Sequence, residues 1–243
     1  MNVEITGAKI FFNLPFGILI TETQVNMWII MVVIALLCKW LSHGLQIKPA
    51  GKRQVVAEFL VTTANRFVTS NMGERYRSFG PFIATLFTLS LLCSLSSLLG
   101  WYPPTADLNT TLGWAIVTFV LIMYFKLKSN GLKGYLKGLT EPIAVLAPFN
   151  IIGEFSTPIS MAIRLFGNIS TGVVISTLVY AALAWLSSVV LQRVPGVLGD
   201  IPILQLGLPA ILSIYFDLFS SVLQSFIFCM LTVLYISQEA KTD

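Results

Sequence analysis

Residues 160–174 read SMAIRLFGNISTGVV and place Arg164 in the middle of an apolar stretch that extends from about 142 to 191. A helix of about 50 residues is about 75 Å long, whereas the hydrocarbon core of a bilayer is about 30 Å thick. We therefore expect this helix to tilt strongly, to break near Pro148 or Pro158, or to do both. A charge at this depth costs about 2.5–3.5 kcal/mol on insertion scales, so Arg164 needs a partner or water.

The composition indicates that most of the chain lies in lipid. Of the 243 residues, 56% are hydrophobic and 11% are charged, whereas a soluble domain carries about 25% charged residues. The apolar runs are long and lack the alternation that is typical of barrel strands. The sequence therefore predicts an all-α integral membrane protein that forms a single membrane domain over residues 1–243.

Apolar windows of about 20 residues or more predict five transmembrane helices. The predicted spans are 25–45, 81–99, 108–125, 142–191 and 207–237. The last two are longer than a bilayer requires, so we expect them to be tilted and to pack as a hairpin. Two amphipathic segments, 52–72 and 131–139, are expected to lie along the membrane surface.

The basic residues predict the orientation of the spans. If there are five, twelve of the fifteen Lys and Arg residues fall on one side, and the loop GWYPPTADLN (100–109) on the other side has none. Cytoplasmic loops are enriched in basic residues. We therefore expect a multi-pass protein of the cell (inner) membrane with its N-terminus outside and its C-terminus in the cytoplasm.

The sequence lacks the residue groupings that indicate a cofactor or an enzyme active site. The three cysteines and the single histidine, His43, are scattered, and no Gly-Lys-Ser/Thr phosphate-binding pattern occurs. We expect no metal, no cofactor and no nucleic acid partner. An intramembrane hydrolase is disfavoured because it requires a Ser/His or paired-Asp site at depth.

Polar side chains near Arg164 form two groups. The outer group contains Asp107, Asn109, Asp217 and Asn168, and the inner group contains Glu154, Ser156 and Ser160. Gln224 follows Asp217 by seven residues, so the two are expected to share a helix face. A fixed positive charge between the groups repels a proton or a sodium ion, so we expect no continuous leak.

This arrangement predicts that an ion crosses only when a carboxylate of another subunit carries it past Arg164. Arginine suits the position because it stays charged at any relevant pH. One alternative is a static ion pair between Arg164 and Glu154 or Asp217. Another is an independent ion channel or secondary transporter, which would conduct alone and often contains internal repeats.

Several motifs resemble the subunit a family of F-type ATP synthases. RLFGN (164–168) is similar to the family hallmark, which carries an essential arginine and an asparagine. LQSFIFCMLTVLYIS (223–237) resembles the C-terminal helix, whose characteristic glutamine falls on Gln224, and PTADLNTTL (104–112) looks like the outer-loop signature. The resemblance implies a non-catalytic stator subunit in the lipid bilayer that faces a rotating c-ring, contacts subunit b of the peripheral stalk and provides two offset half-channels for protons or sodium ions.

The sequence departs from the family pattern at one position. Some members carry a glutamate nine residues after the arginine, paired with a histidine or an acid of the next helix; the matching positions here are Val173 and Asp217. The resemblance therefore leaves Asp217 as the main outer titrating group, and Glu154 matches the inner acids only loosely. The expected ion-translocation residues are Arg164, Asn168, Asp217, Gln224, Glu154, Asp107, Asn109 and Ser160.

Overall fold

The structure is a computed structural model that describes residues 7–46 except 14, 16 and 18, together with residues 51–140, 144–191 and 214–240. Within these ranges the chain is predominantly helical, which confirms the predicted all-α class. Five helices are long and apolar enough to cross a membrane, as predicted. The chain is a multi-pass helical membrane protein.

The N-terminal part forms a small hairpin followed by two helices. Strands β1 (Ile10–Asn13) and β2 (Leu19–Thr21) pair antiparallel, which the sequence analysis did not predict. Helix α1 (Glu22–Ser42) follows the hairpin directly and is the first candidate span. Helix α2 (Lys52–Met72) occupies the segment predicted to lie along the membrane surface, and it is not one of the candidate spans.

The second and third spans are α3 (Gly80–Leu95) and α4 (Leu108–Thr140). α4 continues well beyond the predicted end at residue 125, because lysine is a good helix former and does not by itself end a helix. The helical backbone is interrupted at Gly131, where φ is 65° and ψ is 169°. Glycine adopts this positive φ without strain, so residues 132–140 form a short separate helix close to the predicted segment 131–139.

Helix α5 (Ala147–Leu191) has 45 residues and is continuous, so it is about 67 Å long. It begins beside Pro148 and continues through Pro158, so the alternative of a break at Pro158 does not occur. The hydroxyl of Thr157 donates a 3.3 Å hydrogen bond to the carbonyl of Gly153, close to the carbonyl that the proline leaves without its helical donor. Neighbouring helices, side chains and local backbone adjustments allow proline inside membrane helices.

The last helix, α6 (Ser220–Ala240), is preceded by a π-helical turn, Ile214–Phe219. Residues 207–213 of the predicted fifth span lie outside the described residues. The hydrophobic core lies where α6 meets α2, α3, α4 and α5, and its fully buried side chains include Val68, Leu165 and Phe228. Because Leu165 faces this core, the preceding residue, Arg164, is directed towards another side of α5.

Candidate functional site

Arg164 lies on an exposed side of α5. Its side chain makes no hydrogen bond or ion pair with any residue in the described ranges. Ser160 and Ser156, one and two turns before it, are also exposed, and Asn168, one turn after it, is half-buried. Side chains four residues apart are neighbours along a helix. These four residues therefore form a polar stripe on the surface of α5, and the static ion pair with Glu154 or Asp217 is not formed.

Large apolar side chains flank this polar stripe. Phe155, Ile159 and Ile163 of α5 are about half exposed, and α6 exposes Leu223 and Phe226 to a similar degree. Soluble monomers rarely expose so much apolar surface. The surface that carries Arg164 is therefore suited to contact lipid or another membrane subunit.

Helices α5 and α6 are joined next to Arg164 by a hydrogen-bonded pair. The hydroxyl of Ser220 donates to Oδ1 of Asn168 at 2.8 Å, and the Asn168 amide is 3.5 Å from the Ser220 carbonyl. One turn further along α5, a Cβ on Gly172 would lie 3.5 Å from Cβ of Phe216. The contacts pair residue 168 with 220 and residue 172 with 216, so the residue numbers rise along α5 while they fall along the facing segment. The two helical segments are therefore antiparallel.

This register places Gln224 level with Arg164. Arg164 lies one turn before Asn168 and Gln224 lies one turn after Ser220, so both are displaced in the same direction by about 6 Å. Gln224 is 6% exposed and makes no side-chain hydrogen bond within the described ranges. The hydroxyls of Ser221 and Ser225 on either side of it are buried and have no hydrogen-bond partner. Ordered water is the usual partner for such groups.

Asp217 lies inside the π-helical turn that precedes α6. The hydroxyl of Ser97, at the end of the second span, is 3.3 Å from Oδ1 of Asp217. Single π turns in membrane and soluble helices are frequent at functional sites. They also change the rotation per residue, so the seven-residue spacing rule does not apply between Asp217 and Gln224.

Asp107 and Asn109 lie at the start of α4. Asp107 accepts a 2.7 Å hydrogen bond from the hydroxyl of Thr23 and a 2.9 Å bond from the backbone N–H of Asn109, so it caps α4 and ties it to α1. The side chain of Asn109 is exposed. In the same loop, burial and the negative charges of Asp107 and Glu22 raise the pKa of Tyr102.

Glu154 lies apart from the stripe, in a second polar cluster between α4, α5 and α6. Lys126 donates a hydrogen bond to Oε1 of Glu154, and the hydroxyl of Tyr135 donates to Oε2 at 2.8 Å. Lys126 also lies 3.7 Å from Oε1 of Glu239. The cluster borders an open cleft of about 180 Å³.

Sequence reasoning did not identify Lys126, Tyr135, Glu239 or Ser97 as site residues. Lys126 and Glu239 both stand at the ends of apolar windows, where charged residues are usually solvated, so neither carried a signal of its own. Only the packing of α4 against α5 and α6 brings them together with Glu154.

These features define a multi-pass helical membrane protein whose antiparallel helix pair presents an arginine that pairs with none of the described residues. The sequence profile of the family described as ATP synthase A chain matches residues 24–237. The chain belongs to the ATP synthase subunit a family. It is thus a membrane subunit of an ATP synthase, and its family supports a stator role in ion translocation.

Three relatives described as ATP synthase subunit a align with nearly the whole chain. The sodium ion specific ATP synthase subunit a of Propionigenium modestum is 32% identical over 269 residues, covering 96% of this chain and 84% of the relative. ATP synthase subunit a of Anoxybacillus flavithermus is 32% identical over 248 residues, covering 98% and 96%. Subunit a 1 of Chlorobaculum parvum is 31% identical over 225 residues, covering 90% and 88%.

Proposed function

We propose that this chain is the ion-translocating stator subunit of an F-type ATP synthase, and that Arg164 separates two offset half-channels at the surface of a rotating c-ring. A half-channel here is a water-accessible passage from one side of the membrane to its middle. The observation that carries the proposal is the exposed guanidinium of Arg164, which pairs with no residue in the described part of the chain and lies on a polar stripe flanked by large apolar side chains.

In this proposal the missing partner of Arg164 is a carboxylate of the c-ring. A carboxylate that has bound its ion is neutral and tolerates lipid, whereas an empty one is negative and is attracted to Arg164. Two unit charges 4 Å apart attract by about 4 kcal/mol at an effective dielectric constant of 20. That energy is large enough to make an empty carboxylate stop at Arg164, and the positive charge excludes a free cation.

The two passages are assigned from the contacts on each side of Arg164. Asp217, with Ser97 beside it, is the titrating group of the outer passage, and Asp107 and Asn109 lie at its outer end. Ser160 and Glu154 belong to the inner side. Gln224 and Asn168 position the helices at the level of Arg164, where the Asn168–Ser220 bond fixes the register.

The proposed stator has a defined orientation and a second protein partner. The N-terminus lies outside and the C-terminus in the cytoplasm of the cell (inner) membrane, and subunit b of the peripheral stalk is a partner. The chain performs no ATP chemistry itself. The transported ion is a proton or a sodium ion, and the name of the Propionigenium modestum relative gives a reason to test both.

Reconstitution separates this proposal from the independent channel or transporter. Purified chain in liposomes, under an imposed pH or sodium gradient, should give no ion flux above that of empty liposomes. The whole ATP synthase in the same lipids should pump on addition of ATP. If the transported ion is a proton, pumping occurs with or without sodium in the buffer. If the transported ion is sodium, pumping requires sodium. Gradient-driven flux through the chain alone would contradict the proposal.

A further inference from the structure

Charged side chains from three different helices meet at one end of the bundle. Lys126 of α4, Glu154 of α5 and Glu239 of α6 are all partly buried, with exposed side-chain fractions of 22%, 17% and 27%. Lys126 lies between the two carboxylates and 5.4 Å from the ring centre of Tyr135. Charges this close to the membrane interior are costly unless they are paired or functional.

The charged side chains that line the cleft among the described residues are one lysine and two glutamates. The three charged side chains add up to one net negative charge, because a single lysine faces two glutamates. Both carboxylate oxygens of Glu154 are occupied, one by Lys126 and the other by Tyr135. A partly desolvated cluster of one excess sign raises the local concentration of ions of the opposite sign.

The cluster forms the polar side of the cleft between α4, α5 and α6. Apolar side chains of α4, namely Phe119, Ile122 and Met123, also line the cleft. Thr157 also lines the cleft and precedes Arg164 by seven residues on the same helix. The level of Thr157 is therefore about 10 Å from that of Arg164 along the helix axis.

We propose that this cleft is the mouth of the inner half-channel and that Lys126 is a positioning residue that sets its preference for cations. Lys126 neutralises one of the two carboxylates and holds Glu154 against Tyr135, so the mouth attracts cations without binding them tightly. Removing the lysine charge changes the sum over the cluster from one to two negative charges. The inference rests on the proposed function, because it names the opening of one of the two passages.

Thiol labelling of the whole ATP synthase in inverted membrane vesicles tests this inference. A Thr157→Cys variant in a Cys38→Ser background should react with membrane-impermeant methanethiosulfonates from the cytoplasmic side, and faster with a cationic reagent than with an anionic one. Cys38 is replaced because it is exposed, whereas Cys93 and Cys229 are buried. Val120→Cys is the matched control, because Val120 is exposed on α4 outside the cleft and should not react.

Adding Lys126→Met should raise the ratio of cationic to anionic labelling rates by about threefold or more, because a unit charge acts over about 10 Å through a partly screened medium. Lys126→Arg keeps the positive charge and should therefore show the original ratio. If Lys126→Met acted only by disturbing the structure, this recovery with the charge would not be expected. ATP-driven pumping, measured before labelling, verifies that each variant assembles. If Thr157→Cys does not assemble, Gln238→Cys replaces it, because Gln238 also lines the cleft.

An unreactive cleft cysteine in a pumping enzyme would overturn the inference, and so would a ratio that Lys126→Met leaves unchanged or lowers. Arg164→Ala in the same vesicles tests the proposed function separately. If Arg164→Ala abolishes pumping while the cleft stays unlabelled, the inner mouth lies elsewhere and the stator function stands. If Arg164→Ala pumps normally, the proposed function fails whatever the labelling shows.

Discussion

Arg164 of α5 and Gln224 of α6 lie level with each other, each one turn from the hydrogen bond that joins Asn168 to Ser220. The two helices run in opposite directions, and the contact of Gly172 with Phe216 fixes the same register one turn further out. Arg164 is exposed and Gln224 is buried. The pair therefore presents its charge outwards and keeps its amide between the helices.

The hydrogen bond between Asn168 and Ser220 should hold Arg164 in position, because it fixes the register of α5 against α6 one turn away. Loss of a hydrogen bond of this kind costs about 1 kcal/mol, and here it also loosens the register of the pair. We expect Asn168→Ala and Ser220→Ala each to lower the ATP-driven pumping rate several-fold, and the double variant to lose little more than either single one, because both remove the same bond.

Thr177→Val is the matched control for these variants. Its hydroxyl bonds to the carbonyl of Val173 within α5, so its loss should leave the register and the pumping rate unchanged. Fluorescence quenching of a pH-sensitive dye in vesicles measures the rate. Fully additive losses in the double variant would show that the two residues act independently.

Asp217 should be required for ion flux but not for assembly. Asp217→Asn keeps the size of the side chain and removes its negative charge, so we expect at least about tenfold slower pumping. Ser97→Ala removes the 3.3 Å contact to the carboxylate and a 3.1 Å bond to the carbonyl of Ser94, but it leaves the charge of Asp217 in place, so it should change pumping less than twofold. Normal pumping by Asp217→Asn would place the outer titrating group at another residue.

Asp107 should contribute to stability through its cap. Asp107→Ala loses the cap of α4 and the bond from Thr23, so the chain should be destabilised by about 1–2 kcal/mol. Asp107→Asn retains an acceptor and should be close to the original protein. Thermal unfolding of the detergent-solubilised complex measures the difference, and Asn109→Ala, whose side chain is exposed, is the control. Equal transition temperatures for Asp107→Ala and the control would contradict the capping role.

The features predicted correctly are those that depend on local composition. Hydropathy predicted five spans, and five helices are long and apolar enough to cross a membrane. A helix, α2, covers residues 52–72, and its position along the membrane surface stays a prediction. A break near Pro158 was one of the alternatives for the long fourth span, and it does not occur, because α5 continues through this proline. The π-helical turn around Asp217 has no sequence signature and was not predicted.

The parts of the site that sequence reasoning missed depend on contacts between distant segments. Lys126 and Glu154 are 28 residues apart, and Ser97 and Asp217 are 120 residues apart. A single sequence fixes neither the register of one helix against the next nor the rotation of each helix about its axis. Glu154 was therefore grouped with Ser160 without the distinction that the structure shows: Ser160 lies on the exposed stripe of α5, whereas Glu154 lines the cleft between α4, α5 and α6.

The most direct measurement compares ATP-driven ion pumping by the whole ATP synthase carrying Arg164→Ala with that of Arg66→Ala, which removes an exposed arginine from α2. We expect Arg164→Ala to abolish pumping, while the detached catalytic head still hydrolyses ATP, and we expect Arg66→Ala to pump at the original rate. Pumping by Arg164→Ala at the rate of the Arg66→Ala control would contradict the account.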